Sequence, residues 1–185
     1  MESDAHLSPM VPSDRPEAYP ADLEQWVVLE DGTRVFVRPM VPDDVSRIAH
    51  AFEVADIDTI RRRFFTGAPP TDRTHLEYLA NVDFVRRLAL LAMDEHGDSI
   101  GVGRYEAIDD STAEVAIVVE PDWRRRRVGT KLLELLEPPA VRQGFTEFLA
   151  LFLPSNAAVE ELLVELGYGD RQFEDGVVTL RKPLA

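Results

Sequence analysis

Apolar residues recur along the chain with two periods, and the points where the period changes divide it into elements. Residues 26–29 and 33–40 are strand-like and bracket Asp31-Gly32, a two-residue hairpin signal. Pro42 and Asp43 then open a stretch over 42–53 in which Val45, Ile48, Ala49 and Phe52 fall three and four apart, which predicts a helix. Further helices are expected over 57–65 and 71–79. Next the period shortens: 88–93 is apolar, 99–107 alternates and 112–119 is a third strand, with turns at 95–98 and 108–111. This reads as an antiparallel meander. A helix over 128–143 follows, with Gly144 just past its end. Its Pro138 and Pro139 lack N–H groups, so a break or kink is expected near 134–138. Residues 145–153 form another apolar strand. Ser155 or Asn156 caps a helix with Val159, Leu162, Leu163 and Leu166 on one face, and Gly167 occupies the C′ position. Two strands around Asp175-Gly176 complete the pattern.

Residues 1–24 break from both periods. They hold Pro9, Pro12, Pro16 and Pro20, many acids and few large apolar groups, so an irregular acidic tail is expected, or an arm packed on a partner subunit. The remainder, 25–185, suits one domain. At 45% apolar the chain can bury a full core. It has no cysteine, which removes disulfides, thiolate metal sites and a cysteine nucleophile. The four histidines are scattered, and no metal site is expected. No apolar run approaches the ~18 residues of a membrane span, and Met-Glu-Ser-Asp-Ala-His lacks the basic start of a signal peptide. A cytoplasmic protein without membrane contact is the expectation.

The net charge is −14, which opposes nucleic-acid binding as a whole. Against that background Arg124, Arg125, Arg126 and Arg127 are the densest positive patch. They lie between an apolar strand and a helix starting at Val128, Gly129 and Thr130. A strand, a loop and a helix N-terminus form a ready anion site, because free N–H groups and the helix dipole both favour negative charge. The alternative is a solvated arginine run opening a surface helix.

Arg124-Arg125-Arg126-Arg127-Val128-Gly129, followed by Thr130, resembles the acetyl-CoA loop of the GNAT superfamily of N-acetyltransferases, whose pattern is Arg/Gln-x-x-Gly-x-Gly/Ala. Arg127 stands where that pattern has its first glycine. It fits if its φ is negative and its side chain turns away or reaches a phosphate. The order of elements from about residue 27 to 184 is similar to that of the superfamily. LEDGTRVFVRP at 29–39 with Pro42-Asp43-Asp44, Asn81-Val82-Asp83-Phe84 and Gly101-Val102-Gly103-Arg104-Tyr105 resemble Pat-type bacterial protein lysine acetyltransferases. Several such enzymes fuse the domain to a nucleotide-sensing or CoA-ligase-like domain, and neither is expected within these 185 residues.

The resemblance implies an α/β (α+β) fold of GNAT type: a mixed, mostly antiparallel central sheet flanked by helices in a single domain. It implies acetyl-CoA as acyl donor, no metal, and an amine acceptor, either a protein lysine or a small amine. Residues 124–130 would hold the pyrophosphate, a backbone N–H of Val118 or Val119 would polarise the thioester carbonyl, and Asn156 would bond the pantetheine region. For Asn156 a plain helix cap is the other reading. Leu163 occupies the place where many GNAT enzymes carry a tyrosine acid. A second copy of the chain is a candidate partner, and a degenerate CoA-binding module is the rival that Arg127 favours.

Glu114 lies within an apolar strand, sharing a face with Ala116 and Val118. An acid there is costly to bury unless paired or wet, so it is either a strand-end carboxylate facing water or a functional group. Glu114 falls where histone- and Pat-type enzymes place their catalytic glutamate. A lysine amine has a free pKa of about 10.4 and must lose a proton before attacking a thioester, which a carboxylate can accept. Tyr105, Arg104 and His75 are further candidates for an acceptor cleft.

Overall fold

The computed structural model describes residues 10–54 and 72–185; of 51–54 only the helical backbone is described. The helix expected over 57–65 lies outside the described residues. Eight strands form one sheet in the order β1-β2-β3-β4-β5-β6-β8-β7: β1 Gln25–Val28, β2 Arg34–Pro39, β3 Arg87–Met93, β4 Ser99–Ala107, β5 Thr112–Val119, β6 Glu147–Phe152, β7 Gly169–Glu174 and β8 Val177–Pro183. Four α-helices are described: α1 Val45–Val54, α2 Arg73–Ala80, α3 Val128–Arg142 and α4 Ala157–Glu165. Among the described strands only β5 and β6 run parallel, as a strand–helix–strand crossover through α3 requires. The sheet is therefore mixed and mostly antiparallel.

The meander closes on Asp109, whose carboxylate accepts from the N–H groups of Ser111 and Thr112, both at 2.7 Å. α3 covers one face of β3, β4 and β5. The approach is close: a Cβ on Gly103 would lie 2.9 Å from that of Leu132. Leu132, Leu136 and Ala140 are fully buried along this contact. α2 lies against the opposite face, where its Tyr78 hydroxyl donates to Glu106 of β4.

Several expectations change in the structure. Asp31-Gly32 is not a two-residue turn. Gly32 N–H donates to Leu29 O and Leu29 N–H to Thr33 O, so the loop has three residues, with Gly32 at φ 83°. At Asp175-Gly176 the turn does have two residues, both at positive φ, between the paired Glu174 and Val177. The helix expected from residue 71 starts at Arg73, because Asp72 takes the cap and accepts from His75 N–H at 3.0 Å. The strand expected from 145 starts at Glu147, because Phe145 closes α3. Phe145 N–H donates to Ala140 O and Gly144 N–H to Val141 O, a Schellman stop that α4 repeats through Gly167 and Tyr168. α3 is also unbroken at its prolines. Each proline still forfeits one bond, to the carbonyl of Glu134 or Leu135, but Pro139 packs into the core beside buried Leu136 and Ala140, which offsets the loss.

Residues 10–24 contain no strand and only a three-residue 3-10 turn, Ala21–Leu23. They are nonetheless fixed at several points. Met10 is fully buried, and its carbonyl accepts from Arg38 Nε at 2.6 Å. The same guanidinium binds Asp44 through two 2.7 Å bonds, and both side chains are almost completely buried. Tyr19 packs edge-on against Phe84, with ring centroids 5.8 Å apart.

Candidate active site

The sheet opens at its centre. β5 and β6 pair only from Thr112·Glu147 to Val115·Ala150, although β5 continues to Val119 and β6 to Phe152. Glu120 N–H donates to Ile100 O, and Ile108 N–H to Thr112 O. Antiparallel residues alternate in direction, so the even-numbered residues of β5 bond to β4. The N–H of Val118 is thus directed to β4. Those of Ile117 and Val119 turn towards β6, where pairing has ceased. Asn156 stands just past the end of β6, on the other side of the opening. It occupies the N-cap position of α4, yet its side chain makes no cap hydrogen bond and is largely buried.

The basic loop lies beyond the end of β5. Along it φ alternates in sign: −68° at Arg124, 58° at Arg125, not positive at Arg126, 68° at Arg127. Alternation of this kind is the backbone pattern of concavities that bind anions in other proteins. α3 starts there without a side-chain cap and without an acid in its first turn. Among the described residues nothing accepts from the N–H groups of 125–130. The first helical bond is Lys131 N–H to Arg127 O, at 3.0 Å.

Arg127 contradicts the expectation of a negative φ. It is left-handed, as the glycine of the pattern would be, and such a backbone is unfavourable for an L-residue. Its side chain turns away from the loop's N–H groups. Nη1 donates to Glu165 at the end of α4, and Nε lies 3.4 Å from Glu30 in the β1–β2 loop. Glu165 first, and Glu30 after it, hold the guanidinium still more firmly protonated. Arg126 is occupied too. It donates to Asp31 at 2.9 Å and to Thr33 Oγ1 at 2.6 Å, and lies over the Trp123 ring at 4.2 Å. Hydrogen bonds from the Thr33 hydroxyl and N–H, followed by Arg126, lower the Asp31 pKa to about 2. Arg124 Nε donates to Val119 O at 3.3 Å. Arg125 is exposed and meets no acid among the described residues. The patch therefore presents less free charge than four arginines suggest, because Arg126 and Arg127 are already paired with acids.

Glu114 projects from the face of β5 opposite α3 and is half-buried. Directly across the β4–β5 ladder stands Glu106, and Arg104 is opposite Ala116 on the same face. Arg104 Nη2 lies 3.8 Å from Glu106 Oε2. His75 is on α2 with its ring 6.3 Å from that of Tyr78, the residue bonded to Glu106. Of the three cleft candidates, Arg104 and His75 thus belong to the acid-bearing side. Tyr105 does not: its ring is in the core between Phe145 and Phe148, and its hydroxyl donates to Val85 O at 3.2 Å. Burial raises its pKa above the ordinary tyrosine value. Glu106 went unnoticed in the sequence. Its signal was available, because counting back from the closing pair Ile108·Thr112 sets Glu106 opposite Glu114. Glu165 and Glu30 carried no comparable signal. Leu163 is buried in the core.

No helix among the described residues is long and apolar enough to cross a membrane, and no group of three or more His, Asp or Glu among them is placed to hold a metal.

The profile of the Acetyltransferase (GNAT) family matches residues 54–168. Acetyltransferase Pat of Mycolicibacterium smegmatis is 31% identical over 144 residues, 76% of this chain and 43% of that protein, so the chain spans less than half of that relative. The solved GNAT domain of S. lividans PAT superposes with a TM-score of 0.83 at 34% identity, covering 90% of this chain and 99% of that one. A GNAT superfamily phosphinothricin acetyltransferase from Sinorhizobium meliloti, in complex with AcCoA, shares the fold with a TM-score of 0.68 at 19% identity, over 82% of this chain and 89% of its own. Profile, relatives and sheet topology agree: the chain belongs to the GNAT acetyltransferase family.

Proposed function

We propose that this chain transfers an acetyl group from acetyl-CoA to an amine, with a protein lysine as acceptor and Glu114 as general base. The observation that carries the reading is one juxtaposition. The open edge of β5 begins at Ala116, just past the paired Glu114, and runs to an uncapped helix start beside the splayed strands.

The pyrophosphate rests on the N–H groups of 125–130, with Arg125 adding charge. The pantetheine arm, itself amide-like, passes between β5 and β6, where Asn156 offers a side-chain amide. The thioester carbonyl then lies beside the N–H of Val119 rather than that of Val118, since only the former faces the opening. Glu114 takes the proton of the incoming ammonium. The neutral amine attacks the carbonyl carbon, and negative charge develops on its oxygen beside the Val119 N–H. The intermediate collapses with cleavage of the C–S bond, CoA departs as a thiolate, and the second proton of the attacking nitrogen passes through solvent to that thiolate, leaving a neutral amide and CoA thiol. Leu163 offers no acid, which a thiolate leaving group tolerates. Glu106 and Glu114 on one face favour a cationic acceptor, a lysine or a polyamine alike.

The test combines calorimetry with acetyl-CoA and thiol release against a panel of proteins and small amines. Glu114→Gln is expected to lower kcat by about 10²–10⁴ while leaving acetyl-CoA affinity unchanged. A variant that retains its turnover places the base elsewhere. Turnover with small amines alone removes the lysine acceptor, and absence of binding at millimolar acetyl-CoA removes the whole reading.

A further inference from the structure

We propose that Arg127 is a positioning residue for the acetyl-CoA loop: gripped by Glu165 of α4 and Glu30 of the β1–β2 loop, it holds a left-handed backbone turn that glycine would adopt unaided. This rests on the acetyl-CoA reading and explains how the loop of that site is kept in shape.

Arg127 sits at φ 68° and ψ 12°, at the N-cap of α3, and no side-chain cap fixes that end. Such a conformation is unfavourable for an L-residue, so a restraint from outside the backbone raises its population. The restraint visible here is the side chain. Two carboxylates from separate parts of the chain converge on one guanidinium. Arg126 repeats the arrangement with Asp31 and Thr33 of the same loop. The hairpin tip, the phosphate loop and the end of α4 are thereby joined through charges on either side of the N–H concavity. A single exposed ion pair does little and is screened by salt. Two partners fixing one planar fork define its place better than either alone.

The proposal makes a prediction opposite in sign to simple electrostatics. Glu30 and Glu165 are negative charges near a bound pyrophosphate, and by Coulomb's law their removal strengthens binding. If they instead act through Arg127, their removal loosens the loop and weakens binding.

The experiment compares wild type, Glu30→Gln/Glu165→Gln, Arg127→Gly, and the triple variant, all at one salt concentration. Acetyl-CoA affinity is measured by calorimetry, KM and kcat by thiol release, and amide hydrogen exchange of 125–131 in the ligand-free protein. The double acid variant is expected to raise Kd and KM for acetyl-CoA about five- to tenfold with kcat within about twofold, and to speed exchange of the loop amides. Arg127→Gly is expected to bind within about tenfold of wild type. On that background the two acid substitutions should change Kd by less than about twofold, since no guanidinium remains to hold. Unchanged or tighter binding by the double variant overturns the proposal, as does an equal loss with and without Arg127. Should wild type not bind acetyl-CoA, the acetyltransferase reading fails, and the exchange rates alone decide whether the acids hold the loop.

Discussion

The helices α2 and α3 begin in opposite ways. α2 is closed by its own chain: Asp72 accepts from His75 N–H, and the orphan donors of the first turn gain a partner within the fold. α3 begins with Arg127 in a left-handed turn, no cap and no acid in the first turn. Leaving donors unsatisfied costs free energy. A chain that caps one helix and leaves another open, with arginines beside it, leaves those donors available to a ligand. On the proposed reading the first helix start serves stability and the second serves binding, and substitutions at the two should separate these properties.

The largest separation is expected at Arg125→Glu. The side chain is exposed and makes no ion pair among the described residues, so the melting temperature should hardly move. Acetyl-CoA affinity should fall by about 10- to 100-fold, the scale of a lost charge-assisted hydrogen bond. Unchanged affinity in calorimetry would show that the N–H groups alone carry the phosphate. Asp72→Ala should do the reverse. Loss of a cap costs about 1 kcal/mol, a fall of roughly 2–4 °C in Tm for a domain of this size, with acetyl-CoA Kd unchanged. A shift in Kd would couple α2 to the cofactor and weaken the contrast.

The smallest effect concerns Glu120, at the junction of β5 and the loop. Burial raises its pKa, against the lowering influence of His50 and Arg124. The folded state therefore binds this proton more tightly than the unfolded chain, so the ionised carboxylate is a penalty at neutral pH that is relieved as pH falls through the carboxylate range. Glu120→Gln should raise Tm at pH 7 by less than about 2 °C, as the side chain is only partly buried. That gain should vanish near pH 4 in a series of melting curves. A gain that grows with acidity would reverse the sign and refute the burial account.

Much of the sheet was legible because β3 is a short apolar run, β4 and the start of β5 alternate, and the turns between them carry Asp. The same dipeptide, however, gave different turns at Asp31-Gly32 and Asp175-Gly176. Loop length depends on which residues pair beyond the turn, and that is a property of the sheet. The unbroken α3 was illegible for a similar reason. Local rules see the missing N–H groups of Pro138 and Pro139, whereas burial of Leu136, Pro139 and Ala140 is decided by packing. In the candidate site, the uncapped helix start and the strand carrying Glu114 were visible as sequence. The left-handed Arg127 and its acids were not, because Glu30 and Glu165 are 97 and 38 positions away along the chain. The choice between Val118 and Val119 also required the ladder, since it depends on which strand each N–H faces.

The contact between Met10 and Arg38 has a consequence for anyone shortening this protein. A chain cut at residue 25 loses an apparently dispensable leader rich in proline and acid. It also strips a carbonyl from a buried guanidinium and empties the space of a fully buried methionine. An unmet buried donor costs about 1–3 kcal/mol and a vacated methionine site about 2–5 kcal/mol. Together these approach the whole margin by which a typical domain stays folded. Trimming for crystallisation or expression should therefore stop short of Met10. A truncated form that gives soluble aggregates would report a missing piece of the interior, with the candidate site intact.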